Sequence, residues 1–325
     1  MKAHLMYRDR DFDPATALAP SRAVVAQDLQ LSTLLAAMAD DDAFLLDVCQ
    51  VAVLTGAGDP DAITYRQEVL KDCLAHEEVV REMYAEAVEA IEADRKTWGA
   101  LSHSEEVVLH RSADVLQQFS VLLRRLRTLA DNHRAQFRSA GLTTFLHMLT
   151  VQLDDDYLAL LDEHLRRLRF RGGVLASARL GPDITGTDHI LRRPNGPEPS
   201  WLRRLFTSAS TAHTLTIAER DIAGFSALSE LRAHALSRVS HVLAESTEHV
   251  LSFFTMLRCE LAFYLGCTNL HHRLQEVGAP TCYPVPTACG EPVFTGRDCT
   301  IRAWPCSGAL PSSATTSTPG KASSS

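Results

Sequence analysis

Four polar residues, His234, His241, Glu245 and Glu248, recur at steps of seven, four and three, the spacing of one helix face. Imidazoles and carboxylates on one face are the donor set of a metal centre in a helical bundle. Such a centre needs matching ligands from facing helices, and no other segment repeats the pattern. A polar or hydrogen-bonded face therefore accounts for these residues, and no metal is expected. Arginines offer a different chemistry. Arg166, Arg167, Arg169 and Arg171 stand where a long helical run ends, and Arg192, Arg193, Arg203 and Arg204 follow a short intervening stretch. Guanidinium groups bind phosphate oxygens without reading base sequence. These eight are the candidate contacts to the backbone of double-stranded DNA. The competing reading is a solvated surface that keeps a protruding arm from aggregating.

Other catalytic patterns are missing. The nearest approaches to a phosphate-binding loop are Gly181–Gly186, followed by Thr187, and "TPGKASSS", where Lys321 precedes Ala322. Neither sits in a strand–turn–helix frame that would aim backbone N–H groups at phosphates. There is no HExxH and no nucleophile elbow. No catalytic or cofactor-binding residue is assigned.

The elements that would position the arginines follow from composition and period. With 325 residues, 46% hydrophobic and 22% charged, the chain can form two or three soluble domains. The net charge of −8 is unevenly spread. Residues 26–120 carry 6 basic and 19 acidic side chains, whereas residues 121–204 carry 14 basic and 9 acidic. The second segment, with its arginine clusters, suits a polyanion better than the total suggests. The N-terminal "MKAHLMYRDRDFDP" is too charged for a signal peptide, and no run of about 18 apolar residues stands out. The expectation is a cytoplasmic protein with no membrane partner. Eight cysteines form no CxxC pair, and Cys259 and Cys267, inside a helical run, read as small buried hydrophobes.

Apolar spacing predicts two short helices over residues 25–53, broken at "ADDD" and closed by Gly56 and Gly58. From Asp59-Pro60 an amphipathic run continues past Ile91, with Glu86, Glu89 and Glu92 on its acidic outer side. Residues 105–169 form a long helical stretch with Gly141 as its one interior breaker. Residues 170–222 bring Gly-containing turns and β-branched runs at Val174–Leu175 and Leu215–Ile217, a small, partly β insertion. A single helix then covers Ala223–Val277 and stops at Gly278, with Pro280 beyond.

Three segments carry a family resemblance: "ITYRQEVLKDCL" (63–74), "HVLSFFTMLRCELAFYLGCTNLHHRL" (249–274) and "GAPTCYPVP" (278–286). They resemble the lever-and-connector core of MutS-related DNA mismatch-repair ATPases, and more narrowly the bacterial MutS-domain proteins that lack the N-terminal mismatch-reading domain. The resemblance runs from Met1 to about Asp298. It implies a mainly α, elongated helical core: an N-terminal part over 1–104, lever helices over 105–169, a clamp-like arm over 170–222, a returning helix over 223–278 and a lead-in to an ATPase over 279–298. It also implies that the intact family member is a homodimeric, DNA-associated ATPase using ATP and Mg²⁺. The family's mismatch-reading Phe-x-Glu does not occur, since Phe12 is followed by Asp13-Pro14 and Phe44 by Leu45-Leu46. Mismatch recognition is therefore not carried over.

In that family "GRxLYDPxLAL" leads onward. Here "GRD" (296–298) is followed by "CTIRAWPCSGALPSSATTSTPGKASSS". Reading the codons one base early allows "DCTIRAWPC" to become "LYDPCLAL". The expectation is a frameshift near residue 298, a disordered out-of-frame tail over 299–325, a chain truncated before its phosphate loop, and so no enzyme as it stands. Such a chain is either a core that contacts DNA through its arm or a helical scaffold that binds no nucleic acid.

Overall fold

The computed structural model describes residues 1–18, 21–56, 58–97, 105–168, 175–180, 186–192 and 222–287. Among them the chain is mainly helical: α1 (Ser21–Asp28), α2 (Leu31–Ala39), α3 (Ala43–Thr55), α4 (Pro60–Ala75), α5 (Glu77–Thr97), α6 (Glu105–His133), α7 (Ala140–Gln152), α8 (Asp155–Leu168) and α9 (Ile222–Glu276). Two strands, β1 (Leu175–Leu180) and β2 (Gly186–Arg192), pair antiparallel between α8 and α9, with a register shift between Ser177 and Arg179. The run at Leu215–Ile217 and the tail over 299–325 lie outside the described residues.

Helix boundaries differ from the periodicity reading where short polar groups capture backbone. The first 55 residues hold three helices, because Gln30 adopts a left-handed conformation (φ 51°) and separates α1 from α2. At "ADDD" Asp40 and Asp41 are also left-handed, and Asp42 caps α3 by accepting from the Phe44 and Leu45 N–H groups at 2.8 and 3.2 Å. The run from Pro60 divides at His76 into α4 and α5. Residues 105–168 form three helices, with Ser139 opening α7 and Asp154 opening α8, where its carboxylate accepts the Tyr157 N–H at 2.7 Å. Gly141 breaks nothing. It lies in the first turn of α7, where an added Cβ would stand 2.7 Å from Val69 Cγ2. Glu86 is not on an outer face either: an ion pair with Arg125 at 3.5 Å draws it inward to 8% exposure.

Two compact units share the chain. Unit 1 comprises Met1, Ala85–Asp131 and Met148–Thr255; unit 2 comprises Lys2–Tyr84, Asn132–His147 and Met256–Ser325. In unit 1, Leu116, Phe119, Leu123 and Leu126 of α6 are buried, as are Leu158 and Leu165 of α8 and Phe253 and Phe254 of α9; the Phe119 and Phe254 rings are 5.6 Å apart. In unit 2 the buried side chains include Leu5 and Met6 of the N-terminal segment, Val69 of α4, Phe145 of α7, and Leu261 and Tyr264 of α9. Each such side chain stabilises the fold by roughly 1.5–3 kcal/mol.

The stretch Ala233–Glu276 of α9 is long and apolar enough to cross a membrane by length and composition, with a window of mean hydropathy 1.4. A search for an uninterrupted apolar run passes over it. Of that window 56% is buried inside the protein, which is how a core helix also reads. α9 ends in two bonds, Gly278 N–H to Gln275 C=O and Ala279 N–H to Leu274 C=O, both 2.9 Å, with Gly278 at φ 64°. This is the Schellman arrangement, and it places the stop where the sequence puts it.

Candidate nucleic-acid interface

Arg166 and Arg167 occupy the last turn of α8, so their positions depend on how α8 is held. Asp155 and Asp156 fill its first turn and the two arginines its last, both favourable to the helix dipole. Three polar ties fix α8 to α6. Asp162 accepts from Ser120 Oγ at 2.9 Å, from Gln117 Nε2 at 3.4 Å and from Arg124. Arg124 Nη2 also donates to the Leu158 carbonyl at 3.0 Å, and Arg127 meets the Asp155 carboxylate with both terminal nitrogens. Under these ties Leu158 and Leu165 are buried.

The exposed ends are partly neutralised. Arg166 is 74% exposed at its side chain and pairs with Glu163; Arg167 Nε donates to the same carboxylate at 2.7 Å. Two guanidinium groups and one carboxylate leave a net positive charge at this end of α8. Beyond it the register pairs Leu175 with Arg192 and Arg179 with Thr187. Arg192 thus stands at the end of the strand pair where β1 begins and β2 ends, while Arg179 stands nearer the other end. Arg179 is exposed and has an interaction partner. The sequence reading passed over it because it is isolated, although it lies between the two clusters. Arg169, Arg171, Arg193, Arg203 and Arg204 lie outside the described residues, as does the side chain of Arg192.

His234, His241, Glu245 and Glu248 are all exposed on α9, and His234 Nδ1 is 2.8 Å from the Glu230 carbonyl. Among the described residues no group of three or more His, Cys, Asp or Glu side chains is placed to hold a metal ion. A cleft of about 750 Å³ in unit 2 brings Arg8, Arg10 and Arg138 together with Asp9, Asp59, Asp61 and Glu68, so its carboxylates outnumber its arginines and it is not cationic. Among the described residues Cys49, Cys73, Cys259, Cys267 and Cys282 are free thiols. Burial pushes Cys49 up to about 12 and Cys259 up to about 11, and raises Cys73 and Cys267 as well, which keeps these groups protonated and unreactive.

The described residues are thus mainly helical, with one antiparallel strand pair between α8 and α9 in chain order. Residues 58–277 match the family model described as the MutS2 N-terminal domain. The chain belongs to the MutS2 N-terminal domain family. No curated protein and no solved structure matches the chain.

Proposed function

We propose that this chain is the core portion of a MutS2-type protein, in which the β1–β2 hairpin and its flanking arginines form a clamp-like arm on the phosphate backbone of double-stranded DNA. The observation that supports this reading is the hairpin inserted between α8 and α9, with Arg166 and Arg167 at the end of α8 and Arg192 at the end of β2. Phosphate contacts from such an arm hold DNA without reading sequence. α8 and α9 then act as levers that relay the state of an ATPase to the arm. ATP, Mg²⁺ and homodimer formation belong to the intact family member, in a cytoplasmic DNA-repair setting, and these residues themselves carry no catalysis. Mismatch recognition is not part of the proposal.

The second reading is a helical scaffold that binds no nucleic acid. The pairing of both Arg166 and Arg167 with Glu163 favours it, since each pair weakens the field available to phosphate. Titration of duplex DNA with the full chain at several salt concentrations separates the two. An arm that neutralises about three phosphates loses affinity with a log–log salt slope near −3. The combined changes Arg167→Ala, Arg169→Ala and Arg192→Ala should then weaken binding and flatten the slope. Weak binding that is unchanged by these substitutions would sink the clamp reading and leave the scaffold.

A further inference from the structure

The segment 1–18 contains no helix or strand, yet Ala3, Leu5, Met6 and Phe12 are no more than 3% exposed. Buried backbone without secondary structure has to find its hydrogen bonds elsewhere. In unit 2 they come from two helices. From α4, Tyr65 OH donates to the His4 carbonyl at 2.7 Å and Arg66 Nε to the Met6 carbonyl at 2.9 Å. From α9, Tyr264 OH donates to the Leu5 carbonyl at 2.6 Å. The amides converge on one acceptor, Glu260 of α9, whose two oxygens take the Leu5 N–H at 2.6 Å and the Phe12 N–H at 3.1 Å. One carboxyl group therefore closes both ends of a loop.

Glu260 is 0% exposed and forms no ion pair among the described residues. The charged and titratable groups around it are Asp11, Asp13 and His4 of the segment, Tyr65 and Arg66 of α4, and Arg258, Cys259 and Tyr264 of α9. None of these neutralises it. Arg66 is directed at the Met6 carbonyl and lies over the Tyr7 ring at 4.4 Å, Arg258 lies over the Phe44 ring at 3.6 Å, and Asp11 adds like charge. Enclosing a carboxylate without a cation favours its protonated form.

We propose that Ala3–Phe12 is a proton-linked latch, which closes over Glu260 together with a proton taken from solvent and loosens as the solution turns alkaline. Burial, the largest influence, pushes the Glu260 carboxyl from 4.5 up to about 7, against the amide hydrogen bonds of Leu5, Phe12 and Met6, which pull it down. Opening the latch to water returns the group to the ordinary carboxylate range. The closed state therefore holds the proton between the two values. Its stabilising contribution is complete below about 4.5 and is lost as pH rises through about 7.

Hydrogen exchange of the full chain, read by mass spectrometry on the peptide covering residues 1–13, tests this directly. After correction for the intrinsic pH dependence of exchange, protection of that peptide should fall about thirtyfold between pH of about 5.5 and about 8.5, as the shift to about 7 requires. Glu260→Gln should remove most of that fall, while His4→Gln, at the imidazole 3.4 Å from Asp11, should leave it in place. Equal protection at both pH values in the wild type, or the same fall in E260Q, overturns the proposal. If E260Q loses protection throughout the chain, infrared spectroscopy of the wild type decides instead. A buried carboxylic-acid C=O band that is present at the lower pH and lost at the higher supports the latch, and its absence at the lower pH overturns it.

Discussion

Asp72 of α4 accepts the Ser139 backbone N–H at 2.7 Å and the Arg138 N–H at 2.9 Å through one oxygen, Oδ2. Two amides at the entrance of α7 are thus satisfied by a carboxylate 67 residues away in sequence. Asp72 is 7% exposed and Ser139 4%. Asp72→Ala should cost about 3 kcal/mol, since buried donors lose their acceptor. Asp72→Asn keeps an acceptor oxygen and should cost less. Denaturant melts of the two variants check the order.

Gly266 of α9 lies against Cys49 of α3, and a Cβ added there would stand 2.4 Å from the buried Sγ. Gly266→Ala should destabilise unit 2 by about 1–3 kcal/mol through overpacking. Cys49→Ala in the same chain should recover at least about 1 kcal/mol of that loss, because the two positions share one space. Additive losses in the double variant would contradict this packing.

Gly278 makes the opposite case. An added Cβ meets nothing within 4 Å, but φ is +64°. Gly278→Ala should therefore cost about 1 kcal/mol from backbone conformation alone, and no second-site substitution of a neighbouring side chain should restore it. Thermal melts of Gly278→Ala with and without changes at Leu274 provide the comparison.

Thiol labelling follows from burial. Cys282 is exposed, whereas Cys49, Cys73 and Cys259 are buried with thiols raised above their ordinary range. Iodoacetamide at mildly alkaline pH should modify Cys282 within minutes and leave those three unmodified until denaturant is added. Peptide mapping reads the result; early labelling of Cys73 would mean that the core of unit 2 opens readily.

Periodicity located most helices because α6, α8 and α9 bury one apolar stripe each, and that stripe is written into spacings such as Leu122, Leu123 and Leu126. The stop of α9 was legible for a different reason, since Gly278 and Pro280 act locally. The breaks at Gln30, His76 and Ser139 were not. They depend on left-handed backbone at an ordinary residue and on acceptors as distant as Asp72, neither of which leaves a local pattern. Arg166 and Arg167 were found because arginines cluster there. Their pairing with Glu163 was also within reach, at steps of three and four on one helix. The burial of Glu260 was invisible, because its partners Leu5 and Phe12 are 255 and 248 residues away.

That separation bears on how the chain is made. Leu5, Met6 and Phe12 leave the ribosome well before Glu260 and Tyr264, which complete their hydrogen bonds. At synthesis rates of about 5–20 residues per second, the 255 residues between Leu5 and Glu260 take tens of seconds. Throughout that interval the Leu5 and Phe12 amides lack Glu260, and the segment has its α4 partners Tyr65 and Arg66 but none from α9. Unit 2 includes residues from Met256 onward, so a nascent chain paused before residue 260 leaves Leu5, Met6 and Phe12 short of their α9 contacts and open to whichever chaperone reaches them.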